Sequence, residues 1–174
     1  MSLATPRLET LPPEDGVWLE VDVARQALNV WCGRECLEAH AVSTAAAGAG
    51  QAEGSGGTPL GWHYIRAVIG DGQPVGCVFR GRRPTGEVYS SALAAEHPER
   101  DWILTRIFWL CGLERGLNRG GSVDSQRRYI YLHGTPESEP MGYPASHGCI
   151  RLRDATLLRL GELAPPGTPV WLHA

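Results

Sequence analysis

The segment VWLEVDVARQALNVWC, residues 17–32, has the alternation that is typical of a β-hairpin. Apolar side chains recur at every second position from Val17 to Val23, and a polar turn then leads into the apolar run 27–31. A period of two places alternate side chains on opposite faces of a sheet, so this segment predicts two antiparallel strands.

Further strand patterns follow along the chain, each bounded by glycine, proline or polar turn residues. They occupy residues 36–44, 58–70, 74–81, 127–134 and 168–173. Residues 153–167 instead predict a helix that has Asp154 as its N-cap and ends at Pro-Pro-Gly. The apolar run 97–116 fits either a short helix or a buried strand. The chain is therefore predicted to be a mainly β single domain with one or two short helices and long loops.

Residues 45–57, AAAGAGQAEGSGG, form a long run of small residues between two of these strands. The run has no apolar anchor, and we expect an exposed, mobile loop. It lacks the Gly-Lys-Ser/Thr ending of a phosphate-binding loop, which makes nucleotide binding a weak interpretation.

Composition excludes several classes of function. The net charge of the 174 residues is −3 with both signs interspersed, which does not favour nucleic-acid binding. No stretch reaches the roughly 18 apolar residues of a membrane span, so membrane insertion is not expected.

Two features of the sequence concern the compartment. The five cysteines are odd in number and irregularly spaced, which makes a poor disulfide framework and favours a reducing compartment. Residues 1–16 lack the basic and apolar regions of a signal peptide. We therefore expect a cytoplasmic protein, or a periplasmic one if an export signal is missing from this sequence.

The segment HGTPESEPMGYPASHGCIRL, residues 133–152, places two histidines and a cysteine within a stretch rich in glycine and proline. A catalytic cysteine needs a neighbouring base or positive charge, because the thiolate is the nucleophile. The turn-forming spacer between His133 and Cys149 allows the chain to fold back and bring the two together. Gly148 then lets the backbone aim N–H groups at a developing oxyanion. The planar fork of Arg151 suits a substrate carboxylate.

The segment 133–152 is open to two other interpretations. Zinc bound by His133, His147 and Cys149 lacks the paired spacing of known zinc motifs, and no metal or other cofactor is expected. A structural turn around a buried thiol is the usual fate of a lone cysteine, and we keep that interpretation for the other four cysteines.

The segment 133–152 closely resembles the signature of the YkuD-type L,D-transpeptidases: a histidine, a spacer, then Ser/Thr-His-Gly-Cys and a polar residue two positions later. Residues 42–44 and 58–61 are similar to the family's Ser-Thr-Gly and Thr-Pro-x-Gly segments, and the hairpin 17–31 and the closing strand also fit. The resemblance implies a YkuD-like β-sandwich catalytic domain over residues 17–174, preceded by an N-terminal extension at 1–16. Arg151 departs from the pattern, since many members have asparagine there.

The resemblance also implies roles for individual residues. Cys149 is expected to be the acylated nucleophile, His133 its general base, and the Gly134 carbonyl the group that orients the imidazole. The N–H groups of Gly148 and Cys149 are expected to form the oxyanion hole. The turn residues Ser146 and His147 shape this site, and His147 has either a structural or a direct catalytic role. The residues expected to bind substrate are Arg151, Tyr131 and Thr135.

The reaction that the resemblance implies is attack of Cys149 on the bond between meso-diaminopimelate and D-alanine in a peptidoglycan stem tetrapeptide or muropeptide. A thioester forms and D-alanine leaves. Water as the acceptor gives an L,D-carboxypeptidase, which the expected cytoplasmic location favours. A diaminopimelate amine as the acceptor gives an exported enzyme that forms 3-3 cross-links, and a non-catalytic peptidoglycan-binding module is a further alternative. The family also implies acylation by carbapenems.

Overall fold

The computed structural model describes residues 4–174, which contain ten β-strands and two α-helices. The mainly β prediction with one or two short helices is confirmed, with 39% strand and 13% helix. The strands are β1 (Val17–Asp22), β2 (Ala27–Cys32), β3 (Glu35–Ala41), β4 (Gly61–Ile69), β5 (Cys77–Arg80), β6 (Arg83–Val88), β7 (Ile103–Gly112), β8 (Tyr131–Gly134), β9 (Ile150–Leu152) and β10 (Pro169–His173). The helices are α1 (Ser91–Glu96) and α2 (Asp154–Leu163).

All ten strands join one hydrogen-bonded sheet. Its main order is β3-β2-β1-β10-β4-β7, after which β8 and β9 follow on one edge of β7, and the hairpin β5-β6 pairs with residues 103 and 104 of the same strand. Just after β3, Ser43 pairs with Arg151 of β9 through two backbone hydrogen bonds of 3.0 and 2.8 Å. The two ends of the order therefore meet, and the sheet closes over its own core, which leaves fewer unpaired edge groups.

The main apolar core lies against one face of β8 and β9. Leu132 of β8 and Ile150 of β9 are paired neighbours, and both are fully buried in the main apolar cluster with Leu157 and Leu160 of α2. Successive side chains of a strand point to opposite faces. The residues on either side of Leu132 and Ile150 therefore lie on the other face of β8 and β9, away from this cluster.

The structure decides one ambiguous segment in favour of a strand, and it differs from two other local predictions. The ambiguous run 97–116 contains the strand β7, whose residues are buried or half-buried throughout, which is why it shows no alternation. The predicted strand 127–134 is a turn up to Tyr129 and becomes a strand only at Tyr131. The N-cap of α2 is Arg153, while Asp154 is its first helical residue and accepts a hydrogen bond from the Thr105 hydroxyl.

The predicted N-terminal extension contributes a single 3₁₀ turn, Leu8–Thr10, within its described part. Its end is tied to the hairpin that follows, because the Gly16 carbonyl accepts a hydrogen bond of 3.0 Å from Gly33 N–H. Residues 1–3 of this predicted extension lie outside the described residues.

Candidate active site

Strands β8 and β9 present the candidate catalytic residues on one face. The two strands are parallel, and His133 is paired directly with Arg151. Cys149 immediately precedes β9 and lies beside Tyr131, whose backbone N–H points at the cysteine sulfur from 3.3 Å. The nucleophile and base predicted from the motif are thus on neighbouring strands and offset by one step of the alternation.

The Cys149 thiol is half-buried, and its sulfur is bonded to backbone groups. The S–H donates to the carbonyl of Tyr129 at 3.3 Å, and the sulfur accepts the Tyr131 N–H. Burial of the sulfur raises the pKa of Cys149 to about 11, against the smaller lowering effects of the Tyr131 N–H, Arg151 and Arg128. The thiol is therefore protonated at neutral pH and needs a base to become a nucleophile.

His133 has the geometry of such a base. The side chain is buried, and its Nδ1 lies 2.6 Å from the Gly134 carbonyl oxygen. Because a carbonyl only accepts hydrogen bonds, Nδ1 carries the proton and Nε2 holds the free lone pair of the neutral ring. Burial lowers the pKa of His133, partly opposed by the Gly134 bond and by the charge of Asp101. The ring is therefore neutral, and able to accept a proton, at neutral pH.

The side chains of His133 and Cys149 do not bond to each other within residues 4–174, since each uses backbone partners. Proton transfer between them requires the S–H to turn away from the Tyr129 carbonyl. Contacts of this kind often tighten only when substrate is bound.

The turn Ser146–His147–Gly148 sets the approach to the sulfur. Ser146 Oγ donates to the Cys149 carbonyl at 2.6 Å and accepts the Gly148 N–H at 3.3 Å. Gly148 has a φ of +131°, and a Cβ there would lie 3.3 Å from the Gly57 carbonyl oxygen. Glycine is therefore required at this position. Among the hydrogen bonds of residues 4–174 none uses the Cys149 N–H, which stays available for an oxyanion, whereas the Gly148 N–H is already engaged.

The loop 45–57 forms a wall next to this turn. It is mostly exposed, as expected, but it has an anchor that the sequence did not predict. Its anchor is polar: the Arg128 guanidinium donates to the carbonyls of Gly50, Gln51 and Gly57 at 3.0, 3.1 and 2.7 Å. Thr58, at the end of the loop, donates its hydroxyl to the Gly148 carbonyl at 3.0 Å. Arg128 thus supports the loop that packs against the turn Ser146–His147–Gly148.

Sequence reasoning missed Asp101, which connects two of the predicted site residues. Its carboxylate accepts from Arg151 Nη2 at 2.9 Å and lies 3.2 Å from His147 Nδ1. Asp101 is distant from the motif in sequence, and its only local signal is the charged run Glu99–Asp101 before the buried Trp102. Its contact with Arg151 of β9 depends on the fold and could not be predicted from the sequence.

Arg151 is held by the protein's own acceptors. The side chain is 7% exposed and pairs with Asp101 and with Glu139, whose carboxylate is 3.6 Å away, while Nη1 donates to the Ala145 carbonyl. The buried Nε has no hydrogen-bond partner within the described chain. Arg151, Thr135 and His147 line a cleft of about 250 Å³. The role of Arg151 and Thr135 in binding substrate stays a prediction.

Tyr131 belongs to a second group of side chains beside the sulfur. Its hydroxyl accepts a hydrogen bond of 3.2 Å from Arg82 Nη1, and its ring packs edge-on against Trp109 at 6.1 Å. The Arg82 guanidinium also lies over the rings of Trp109 and Tyr129. The side of Cys149 that faces β8 is therefore bordered by aromatic rings and by one guanidinium group.

Within residues 4–174, no group of three His, Cys, Asp or Glu side chains is placed to hold a metal ion, as the zinc interpretation would require. The imidazole of His147 is 81% exposed and faces Asp101, and that of His133 faces Gly134. In the same part of the chain no helix has the length and apolar character needed to cross a membrane.

Comparison with known proteins places this arrangement in a family. The family model for the YkuD L,D-transpeptidase catalytic domain matches residues 16–172. A comparison with curated proteins found no match.

Solved structures with a similar fold include three L,D-transpeptidases. The enzyme from Mycobacterium smegmatis is 20% identical, with a TM-score of 0.53 over 91% of this chain and 59% of its own. The enzyme from Xylanimonas cellulosilytica is 22% identical, with a TM-score of 0.53 over 97% and 63%. L,D-transpeptidase 3 from Mycobacterium tuberculosis, solved with a faropenem-derived adduct, is 14% identical, with a TM-score of 0.56 over 91% and 60%.

At these identities the likeness concerns the fold, and this chain spans about 59–63% of the length of those solved chains. The family model is more specific, because it covers nearly the whole chain. It includes His133 on β8 and Cys149 immediately before β9. On this basis the protein belongs to the YkuD family of L,D-transpeptidase catalytic domains.

Proposed function

We propose that this protein is a cysteine acyltransferase that cleaves the bond between meso-diaminopimelate and D-alanine in peptidoglycan tetrapeptides. The observation that carries the proposal is the shared face of β8 and β9, where the Cys149 thiol lies near an imidazole whose Nδ1 is fixed by Gly134. This is the nucleophile–base–orienter arrangement that covalent acyl transfer requires. Family membership supports the class of substrate.

The residues have distinct tasks in the proposed reaction. His133 Nε2 accepts the thiol proton while Cys149 Sγ attacks the diaminopimelate carbonyl carbon, and the Cys149 N–H donates to the developing oxyanion. Collapse of the tetrahedral intermediate breaks the C–N bond and leaves a thioester. The proton held by His133 passes to the departing D-alanine amine. Because the pKa of the resting thiol is about 11, transfer of its proton to His133 accompanies the attack.

For the acceptor we propose water, which gives an L,D-carboxypeptidase acting in the cytoplasm. The supporting observation is that all five cysteines are free, including the exposed Cys36, as expected in a reducing compartment. The alternative acceptor is a diaminopimelate amine of a second stem, which gives 3-3 cross-links outside the inner membrane. The fold shared with L,D-transpeptidases supports this alternative.

The test is incubation of the purified protein with a disaccharide tetrapeptide, followed by mass spectrometry. A Cys149→Ala variant is the negative control, and Cys36→Ala is a matched control that removes an exposed thiol outside the site. Tripeptide and free D-alanine from wild type and Cys36→Ala, but not from Cys149→Ala, support water as the acceptor. Cross-linked dimers establish the amine acceptor instead. Binding of the tetrapeptide by wild type and Cys36→Ala with no release of D-alanine and no cross-linking means a peptidoglycan-binding module and contradicts the enzymatic proposal.

Acylation by a carbapenem or penem is a second test of the nucleophile. One of the solved relatives carries a faropenem-derived adduct, so we propose the same class of inhibitor for this chain. The intact mass of wild type and Cys36→Ala is expected to increase by one inhibitor, while that of Cys149→Ala stays unchanged. Modification of Cys149→Ala to the same extent would show that another group reacts.

A further inference from the structure

We propose that Arg82, held over the rings of Tyr129 and Trp109, is a binding site for a carboxylate of the peptide substrate beside Cys149. The inference rests on the proposed function and adds a specificity-determining residue to it. The ligand chemistry is a carboxylate next to the scissile bond. Two groups of the tetrapeptide supply one, the C-terminal D-alanine and the side chain of diaminopimelate.

The position of Arg82 is fixed from three sides. It lies in the turn between β5 and β6 with a φ of +64°, and its guanidinium carbon is 4.5 Å from the Tyr129 ring centroid and 5.1 Å from that of Trp109. Its Nη1 donates to the Tyr131 hydroxyl at 3.2 Å. Stacking on aromatic faces orients the planar guanidinium without neutralising its charge.

Most hydrogen-bonding capacity of Arg82 is unused. A guanidinium has five N–H donors, and within residues 4–174 this one makes a single hydrogen bond and no salt bridge. The other two arginines near the sulfur differ. Arg151 is paired with Asp101 and Glu139, and Arg128 donates to the carbonyls of the loop 45–57. An incoming anion therefore finds free donors at Arg82 rather than at Arg151 or Arg128.

Two of the three residues that hold Arg82 also contact the sulfur of Cys149. Tyr129 accepts the Cys149 S–H through its carbonyl, and Tyr131 donates its N–H to the same sulfur, each at 3.3 Å. One residue of extended peptide spans up to about 3.6 Å. A carboxylate within one or two residues of the attacked carbonyl therefore falls in the neighbourhood of the guanidinium.

If Arg82 binds a substrate carboxylate, its replacement lowers kcat/KM only for substrates that carry that carboxylate. Arg82→Ala is expected to lower kcat/KM for the tetrapeptide at least 10-fold, mainly through KM, because the lost bond involves two charges. Arg82→Lys is expected to recover part of the loss, since it keeps the charge without the planar fork. Arg83→Ala is the matched control: it removes an exposed arginine at the next position and is expected to change kcat/KM less than 2-fold.

The decisive measurement changes the substrate rather than the protein. Wild type, Arg82→Ala and Arg83→Ala are assayed with the tetrapeptide, its C-terminal amide, and the same peptide amidated at the diaminopimelate side chain. The amide that lacks the bound carboxylate is expected to be a poor substrate for wild type and to abolish the difference between wild type and Arg82→Ala. The other amide keeps the full difference, which identifies the source of the carboxylate.

Two results overturn the inference. An equal loss for Arg82→Ala on all three peptides means that Arg82 only supports Tyr131, and no loss on any peptide means that it is not a substrate contact. Both leave the proposed function standing, because wild type still releases D-alanine. Failure of wild type to process the tetrapeptide overturns the proposed function and the carboxylate site together.

Discussion

Replacing Arg128 by alanine is expected to destabilise the protein through the loop 45–57. The guanidinium makes four hydrogen bonds to this loop, three to carbonyl oxygens and one to the Ser55 hydroxyl at 3.4 Å. The Gly57 carbonyl among them lies next to Gly148, and Thr58 bonds to Gly148 directly. Loss of the anchor therefore reaches the turn that carries Cys149.

The magnitude follows from the burial of these contacts. Hydrogen bonds to a charged group contribute about 1.5–3 kcal/mol each when they are buried, and such contributions are not additive. Arg128 is half-buried and water replaces part of each bond, so we expect a total loss of about 3 kcal/mol in the free energy of unfolding. With a urea m-value of about 2–3 kcal/mol per M, the unfolding midpoint falls by roughly 1 M.

The assay is urea unfolding together with hydrogen exchange of residues 46–57. Arg127→Ala is the matched control, because Arg127 is exposed and none of the hydrogen bonds to the loop comes from its side chain. We expect its midpoint to stay close to that of wild type, and exchange in the loop to accelerate only in Arg128→Ala. Equal midpoints for Arg128→Ala and Arg127→Ala would refute the role given to the polar anchor.

Three further predictions concern charge and backbone strain. Asp101→Asn removes the negative charge that raises the pKa of both His133 and Cys149, so both groups are expected to titrate at lower pH, as measured by histidine NMR and by the pH dependence of thiol alkylation. Burial lowers the pKa of His63 from 6.5 to about 4, so the unfolded state binds more protons between these values. The contribution of His63 to the free energy of unfolding is therefore fully present above pH 6.5 and falls by about 3 kcal/mol towards pH 4. His63→Gln is expected to remove this pH dependence, as measured by urea unfolding at several pH values. Gly148→Ala places a side chain at a φ of +131° and is expected to cost about 1–3 kcal/mol and most of the activity, as seen by thermal unfolding and D-alanine release.

Strands with one buried face could be predicted from the sequence. The hairpin predicted over 17–32 forms β1 and β2 with a shift of at most one residue, because its alternation matches a sheet with one face on the core. The β7 segment gave no such signal, since its residues are largely buried on both faces. The β6 sequence RPTGEV, with proline and glycine in a largely exposed strand, carries no apolar pattern at all.

The residues of the candidate site also differ in how far the sequence could predict them. His133, Cys149 and the turn between them are close in sequence, so the motif was sufficient to predict that they belong together. Arg82 and Asp101 are not, since each lies about 50 positions from its partner in β8 or β9, namely 49 from Tyr131 and 50 from Arg151. Such contacts depend on the order of strands in the sheet, which residue patterns do not specify.

The closure of the sheet at Ser43 and Arg151 has a consequence for the order of folding. These residues are far apart in the chain, and bringing distant segments together has an entropic cost that delays their contact. The parallel pairing of β1 with β10 likewise joins segments that are far apart in the chain. We therefore expect the surroundings of Cys149 to mature late in folding. A nascent or misfolded chain then has a thiol without the His133 base beside it, and we expect D-alanine release only from molecules that have completed the fold.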